Sequence, residues 1–334
     1  MPCPHCTIVG HKITFCLNKT IITLIKKHFD HQGFPMEVNE HYLTTHEQAA
    51  RELVDFLEAT KLTTDVTFKI NNYDWLPIID FHKYVEASWV DDLLFEPYIR
   101  MHFQPIIKSD GNIFAYEMLS RFVDKKGQTI YPNVMFPAAK VRGRTFALDR
   151  ICRIHAVKQV KKLLPNQKAF INFIPTSIYT PEYCLKTTTD LANALDIDSS
   201  RFVFEVVETE QVKDTGHLKN ILSYYQSNGF LYALDDVGSG YNTLTFLEEL
   251  KPPFIKLDLT FVRNVHQDPE KQHIAKEILK LRDTFGAMAL AEGVETVAEF
   301  DWLKSAGFDL FQGYLFGRPE KEPLKEATID LKKL

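Results

Sequence analysis

The sequence predicts an α/β protein whose larger part is a TIM-like (β/α)8 barrel, preceded by a smaller α/β region. Two observations predict it. From about residue 100, short apolar runs alternate with longer amphipathic stretches, which implies parallel strands joined by crossover helices. The pattern persists for roughly 230 residues with at least seven strands, which fits a barrel better than two small sheets. A doubly wound sheet is the structural alternative. No GxGxxG or Walker sequence opens a helix to favour it.

The elements follow in order. Residues 1–97 form the N-terminal region, read as regulatory or sensory. Thr20–Phe29 and Glu47–Thr60 read as helices, Val66–Ile70 as a strand, and Asn71-Asn72 as a turn before an aromatic-rich YDWLPI. Val85–Ile99 reads as a helix leading into the second region, residues 98–334. There the apolar runs are FAYEMLSRF, KAFINFIP, RFVFEVVE, LYALDDVG, PFIKLD, AMALAEGV and DLFQGYLF. Asp149–Leu164, Thr215–Ser227 and Pro269–Phe285 read as helices between them.

Composition narrows the function. The 334 residues are 45% hydrophobic and 25% charged, which excludes a wholly disordered or low-complexity chain. No apolar run is long enough for a membrane span, and no signal peptide opens the chain. Five cysteines make no disulfide framework, so a reducing cytoplasm is expected. The net charge of −5 argues against DNA binding, which rests on a basic face.

One feature recurs along the barrel region. Each apolar run carries a polar residue in it or at its C-terminal end: Glu117, Asn172, Glu205 with Glu208, Asp235 with Asp236, Lys256 with Asp258, Glu292 with Glu295, and Gln312. In a β/α barrel those strand ends converge on one mouth. So many carboxylates would repel one another and resist desolvation unless divalent cations neutralised them. Oxygen ligands without His or Cys suit hard ions such as Mg²⁺ or Mn²⁺, and their number suggests two. Taken singly, each acid is more simply a helix cap or a surface ion pair; Asp258 could cap a turn and Glu295 could open a helix. Independent caps give no reason for the pattern to recur on strand after strand.

Assembled, these residues resemble the EAL-domain cyclic di-GMP phosphodiesterases over residues 98–330. The resemblance rests on HFQPII (His102–Ile107), Glu117-Met118-Leu119-Ser120-Arg121, Asn172 in NFIP and Glu205-Val206-Val207-Glu208. It continues through DDVGSGY (Asp235–Tyr241), Ile255-Lys256-Leu257-Asp258, Glu292-Gly293-Val294-Glu295 and Gln312-Gly313-Tyr314-Leu315-Phe316. It implies a modified barrel whose first strand runs antiparallel to the rest. It implies hydrolysis of cyclic di-GMP to linear pGpG by two Mg²⁺ or Mn²⁺ ions, with Ca²⁺ inhibitory, in a homodimer formed through the barrel domain. By the same resemblance Glu117, Asn172, Glu205, Asp235, Asp236 and Glu292 match metal ligands. Lys256 matches the lysine on the attacking water, and Asp236, Glu292 and Glu208 match supporting catalytic carboxylates, Glu208 by anchoring the loop after Asp236. Gln104, Leu119, Arg121, Gln312 and Glu295 match substrate contacts, alongside Glu117, Asn172 and Asp235. The departures, Met118, Val207 and Val237, remove no ligand, though Val207 puts the anchoring of Glu208 in question. The competing readings are a non-catalytic cyclic di-GMP receptor and a Schiff-base enzyme using Lys256; neighbouring carboxylates keep that lysine charged and oppose the latter.

The N-terminal region resembles no named family. Cys3-Pro4-His5-Cys6 has the spacing of half a zinc site or a redox pair, with His11 and Cys16 as candidate partners for a metal or signal ligand. No second C-x-x-C completes it, and free thiols at an ordinary N-terminus are the simpler reading. Cys152 reads as packing.

Overall fold

The computed structural model describes residues 11–71, 73–94, 98–206, 215–238, 244–326 and 328–333. The chain divides into two compact units, one of residues 1–94 with 133–148 and one of residues 95–132 with 149–334.

The first unit is built from β1 (Lys12–Cys16), α1 (Lys19–Gln32), β2 (Met36–Asn39), β3 (Tyr42–His46), α2 (Glu47–Ala59), β4 (Thr67–Ile70) and β5 (Leu76–Pro77). The strands form an antiparallel sheet in the order β2-β3-β1-β4-β5, a split β-α-β arrangement. Ile13 and Phe15 are buried against Ile25, Phe29, Leu53 and Leu57 of the helices. The Asn18 side chain accepts from the Ile21 amide to start α1, and Gly33 ends it in the left-handed region. The two expected helices and the 66–70 strand are present. Strands β1 to β3 were not expected, because what separates them from loop is their pairing within the sheet, which no local window contains. Nor is Val85–Ile99 one helix: Phe81–Glu86 and Trp89–Leu93 are separate, and Ile99 opens a strand by pairing with Phe122.

The second unit holds β6 (Ile99–Lys108), β7 (Ile113–Val123), β8 (Thr129–Ile130), β9 (Lys168–Phe173), β10 (Phe202–Val206), β11 (Leu231–Val237), β12 (Phe254–Leu257), β13 (Met288–Ala291) and β14 (Leu310–Gln312). Eight of them close a ring in the order β6-β14-β13-β12-β11-β10-β9-β7, sealed by β7 on β6, with β8 outside on β7. β6 runs antiparallel to both neighbours, while the other seams are parallel. The fold is therefore the modified barrel. Inside, one residue from each ring strand meets in a single apolar cluster: Ile106, Ala115, Phe170, Val203, Ala233, Phe254, Leu290 and Leu310. Such a layer makes the barrel a packed core and not a pore.

Candidate active site

Side chains on one face of a strand recur every second residue. Two residues beyond each member of the apolar layer stand Glu117, Asn172, Glu205, Asp235, Lys256, Glu292 and Gln312. On β6, which runs the other way, the step is backwards and reaches Gln104. The polar residues thus form the layer above the apolar one, at the C-terminal mouth of the parallel strands. Register confirms neighbours around the ring: Gln104 faces Glu117, and Asn172 lies beside Glu205.

Two groups form within this layer. Glu117 accepts hydrogen bonds from Asn172 Nδ2 at 3.0 Å and from Gln312 Nε2 at 2.6 Å. The second group surrounds Lys256, whose Nζ lies 2.6 Å from Glu205 and 2.9 Å from Asp235 and also pairs with Glu292. Lys256 and Glu205 are 1% and 0% exposed, so water screens neither charge. Three carboxyl groups thus share one ammonium.

The electrostatics follow. Burial alone would pull Lys256 down, yet Asp235, Glu205 and Glu292 hold its ammonium well above the ordinary lysine value. Burial pushes Glu205 well up against the pull of Lys256. Burial and Asp235 do the same to Glu292. Asp236 is pushed up to about 7 by burial, then by Asp235 and a hydrogen bond with Asp258. Its backbone sits in the left-handed region at φ 52°, where β11 is irregular between Leu234 and Val237. That kink turns two consecutive aspartates to the same end of the barrel. Gly238 follows at φ 105°, and a Cβ there would stand 2.9 Å from the Phe261 ring.

Among the described residues, Glu205, Asp235 and Glu292 are the group whose ligand atoms, all within 4.8 Å of one another, could hold a metal ion. Among the described residues, Glu205 Oε1 and Glu292 Oε1 are met by Lys256 alone, while Glu205 Oε2 and Gln312 Oε1 have no hydrogen-bond partner. Buried, unpaired oxygen donors without nitrogen or sulfur fit a hard divalent cation.

The remaining expected residues lie apart from this cluster. Gln104 donates to the Gly317 carbonyl at 3.3 Å. Leu119 is half-buried on β7. Arg121 donates to the Ser120 carbonyl and lies over the Tyr131 ring at 5.6 Å. Glu295 is exposed and pairs with Arg263 at 2.6 Å. It does not open the next helix, which Thr296 caps in a box with Glu299. Asp258 does cap, accepting from the Thr260 amide at 2.8 Å, while also contacting Asp236. Glu208, Val207 and Ser239 to Tyr241 lie outside the described residues, as do Cys3 and Cys6. His11 is engaged by Tyr84 at 2.5 Å, and burial with Arg144 and Arg142 pulls it down to about 4. Burial pushes the Cys152 thiol up to about 12, as packing predicts.

Two supporting carboxylates were not read from the sequence. Glu299, fully buried, accepts from the amides of Asn264, Glu295 and Thr296, tying the loop after β13 to the loop after β12. Asp149, also buried, accepts from Arg153 Nε, the Ile174 amide and Ser177 Oγ, fixing the turn that follows Asn172. The sequence carried signals for both: Thr296-x-x-Glu299 is a capping box, and Asp149 with Arg153 is an i,i+4 pair.

Comparison with known proteins agrees with this geometry. The EAL domain family model matches residues 91–319. PdeG of Escherichia coli K12, named "Probable cyclic di-GMP phosphodiesterase", is 31% identical over 225 residues, 65% of this chain and 44% of its own length. A standalone EAL protein from Vibrio cholerae O395, solved in a c-di-GMP bound form, is 37% identical with a TM-score of 0.59, covering 70% of this chain and 95% of that one. Klebsiella pneumoniae BlrP1, in a manganese/cy-diGMP complex, is 20% identical with a TM-score of 0.60 and covers 93% of this chain and 96% of its own, a likeness of fold. The chain spans less than half the length of PdeG. With its model match running through the barrel and its site, the chain belongs to the EAL domain family.

Proposed function

We propose that this chain hydrolyses one phosphodiester bond of cyclic di-GMP to give linear pGpG, acting in bacterial second-messenger signalling. The observation that carries the reading is the complete polar layer, in which every ring strand contributes a side chain and the lysine lies among the carboxylates. A receptor that only binds the nucleotide has no need of that lysine. The relatives named as cyclic di-GMP phosphodiesterases support the substrate class.

Glu117, Asn172, Glu205, Asp235, Asp236 and Glu292 would hold two divalent cations, Mg²⁺ or Mn²⁺, with Ca²⁺ inhibitory. When bound, such cations stabilise charge on the phosphoryl oxygens and make water a better nucleophile. The chain's own residues do the rest. Lys256 stays charged and orients the attacking water; it has no role as a base, because its surroundings hold its proton. Arg121 can fork onto a phosphate, a planar recognition that lysine lacks. Gln104, Leu119, Gln312 and Glu295 supply further nucleotide contacts, and Glu208 anchors the loop after Asp236. The barrel domain forms a homodimer in the cytoplasm, and residues 1–97 act as its regulatory region; no helix among the described residues is long and apolar enough to cross a membrane.

The test is incubation of purified protein with cyclic di-GMP and Mn²⁺, with products separated by chromatography. Linear pGpG is the expected product. Nucleotide binding without turnover would replace this proposal with the receptor reading.

A further inference from the structure

We propose that the Lys256 ammonium is the resident cation of the metal-free site, and that a divalent cation enters by displacing it from Glu205, Asp235 and Glu292. The inference rests on reading this cluster as a metal site. Its basis is that the same three carboxylates serve both occupants. Lys256 pairs with all three, and these are the three whose oxygens lie close enough together to share one ion. An ammonium on those oxygens occupies the space in which a small cation must approach them to about 2 Å. Both cations cannot keep their ideal contacts at once, and each is repelled by the other in a site from which water is excluded.

The two occupants differ in what they leave behind. With lysine alone, one ammonium serves three carboxyl groups, and Glu205 Oε2 is left without a hydrogen-bond partner. A divalent ion brings twice the charge to the same oxygens. Lysine suits the exchange, because its ammonium is a point charge on a flexible stem and can withdraw without leaving the barrel. The arrangement has two effects. It protects the metal-free fold from repulsion among the buried carboxylates. It also lowers metal affinity below what the carboxylates alone would give, which keeps the exchange reversible.

The experiment uses the full chain without nucleotide. Mn²⁺ binding is measured by titration calorimetry, and melting in EDTA and in saturating Mn²⁺, for wild type, Lys256→Met and Lys256→Arg. Lys256→Met is expected to bind Mn²⁺ at least tenfold more tightly, about 1.4 kcal/mol. It should melt lower than wild type in EDTA and gain more from Mn²⁺. Lys256→Arg, which keeps the charge, should bind no more tightly than wild type. If Lys256→Met unfolds in EDTA but folds with Mn²⁺, the interchange of cations is demonstrated directly. Affinity unchanged or weakened in Lys256→Met overturns the inference, as does a variant that Mn²⁺ cannot fold or a wild type and variant that both ignore Mn²⁺. Failure of Mn²⁺-loaded wild type to cleave cyclic di-GMP would instead overturn the functional proposal and leave this one standing.

Discussion

Replacing Asp149 by alanine should cost the barrel more stability than removing any single site carboxylate. Asp149 lies 2.9 Å from Arg153 Nε, 2.9 Å from the Ile174 amide and 3.1 Å from Ser177 Oγ. Arg153 is 0% exposed, so the substitution strands a guanidinium away from water. Its contact with Thr188 Oγ1 at 2.9 Å supplies no counter-charge. Breaking a buried ion pair from one side costs about 3–5 kcal/mol. The orphaned Ile174 amide adds about 1–3 kcal/mol, partly overlapping because one carboxylate serves both. A loss of about 4–6 kcal/mol lowers melting by roughly 10–20 °C for a unit of this size. Urea unfolding followed by circular dichroism measures it. Asp149→Leu combined with Arg153→Met should lose less than Asp149→Ala, since no lone charge remains. A loss under about 1 kcal/mol for Asp149→Ala refutes the reasoning, as does a double variant whose loss equals the sum of the singles.

Other outcomes are expected at the site. Glu117→Ala, Asn172→Ala and Asp235→Ala should each abolish Mn²⁺-dependent turnover while the protein stays folded, because each removes an oxygen donor and the two acid variants also relieve repulsion; near-normal turnover by Glu117→Ala ends the assignment. Arg121→Lys should raise KM for cyclic di-GMP on the order of tenfold, and an unchanged KM would mean no phosphate contact. Lys256→Ala should lose most of kcat, and Lys256→Arg should recover part of it at saturating Mn²⁺; an inactive arginine variant with intact metal and nucleotide binding would assign the lysine as proton acceptor. In EDTA, the folded protein keeps the Asp236 proton up to about pH 7, well above the ordinary aspartate value of about 4. The native state then binds more protons across that window, so the contribution of Asp236 to stability falls as pH rises from about 4 to about 7. Asp236→Asn should flatten that fall by about 1 kcal/mol once solvent screening is allowed for. A slope identical to wild type would show that Asp236 does not carry the proton.

The barrel was legible because its strands are apolar and alternate regularly with periodic helices. Thr215–Ser227 and Pro269–Phe285 match the expected helices end to end. The polar layer was legible because period-two alternation places a charged residue two positions past an apolar one on nearly every strand. The small sheet was not legible: KITFC and YLTTH earn their conformation from pairing with each other, which no local window contains. Glu299 was hidden because a helix-opening acid is satisfied by the dipole alone. Its reach to the Asn264 amide, 35 residues away, exists only in three dimensions. Gln104 stood out by resemblance alone, since its strand runs backwards and its polar residue precedes the apolar one.

That reversed strand also shapes how the ring closes. β6 and β7 are joined by a short turn and form a hairpin, which assembles locally and fast. The opposite edge of β6 meets β14 through three residue pairs, Leu310 with Lys108, Phe311 with Ile107 and Gln312 with Ile106, about two hundred positions apart. Such a contact carries a large loop-closure cost and forms late. The barrel is therefore zipped at a short seam with Gln312 at its end. Amide exchange that reports transient opening should be faster in β14 than in β9 or β10, whose pairings are longer. The side of the mouth that completes last in folding is also the side that loosens first in the native state.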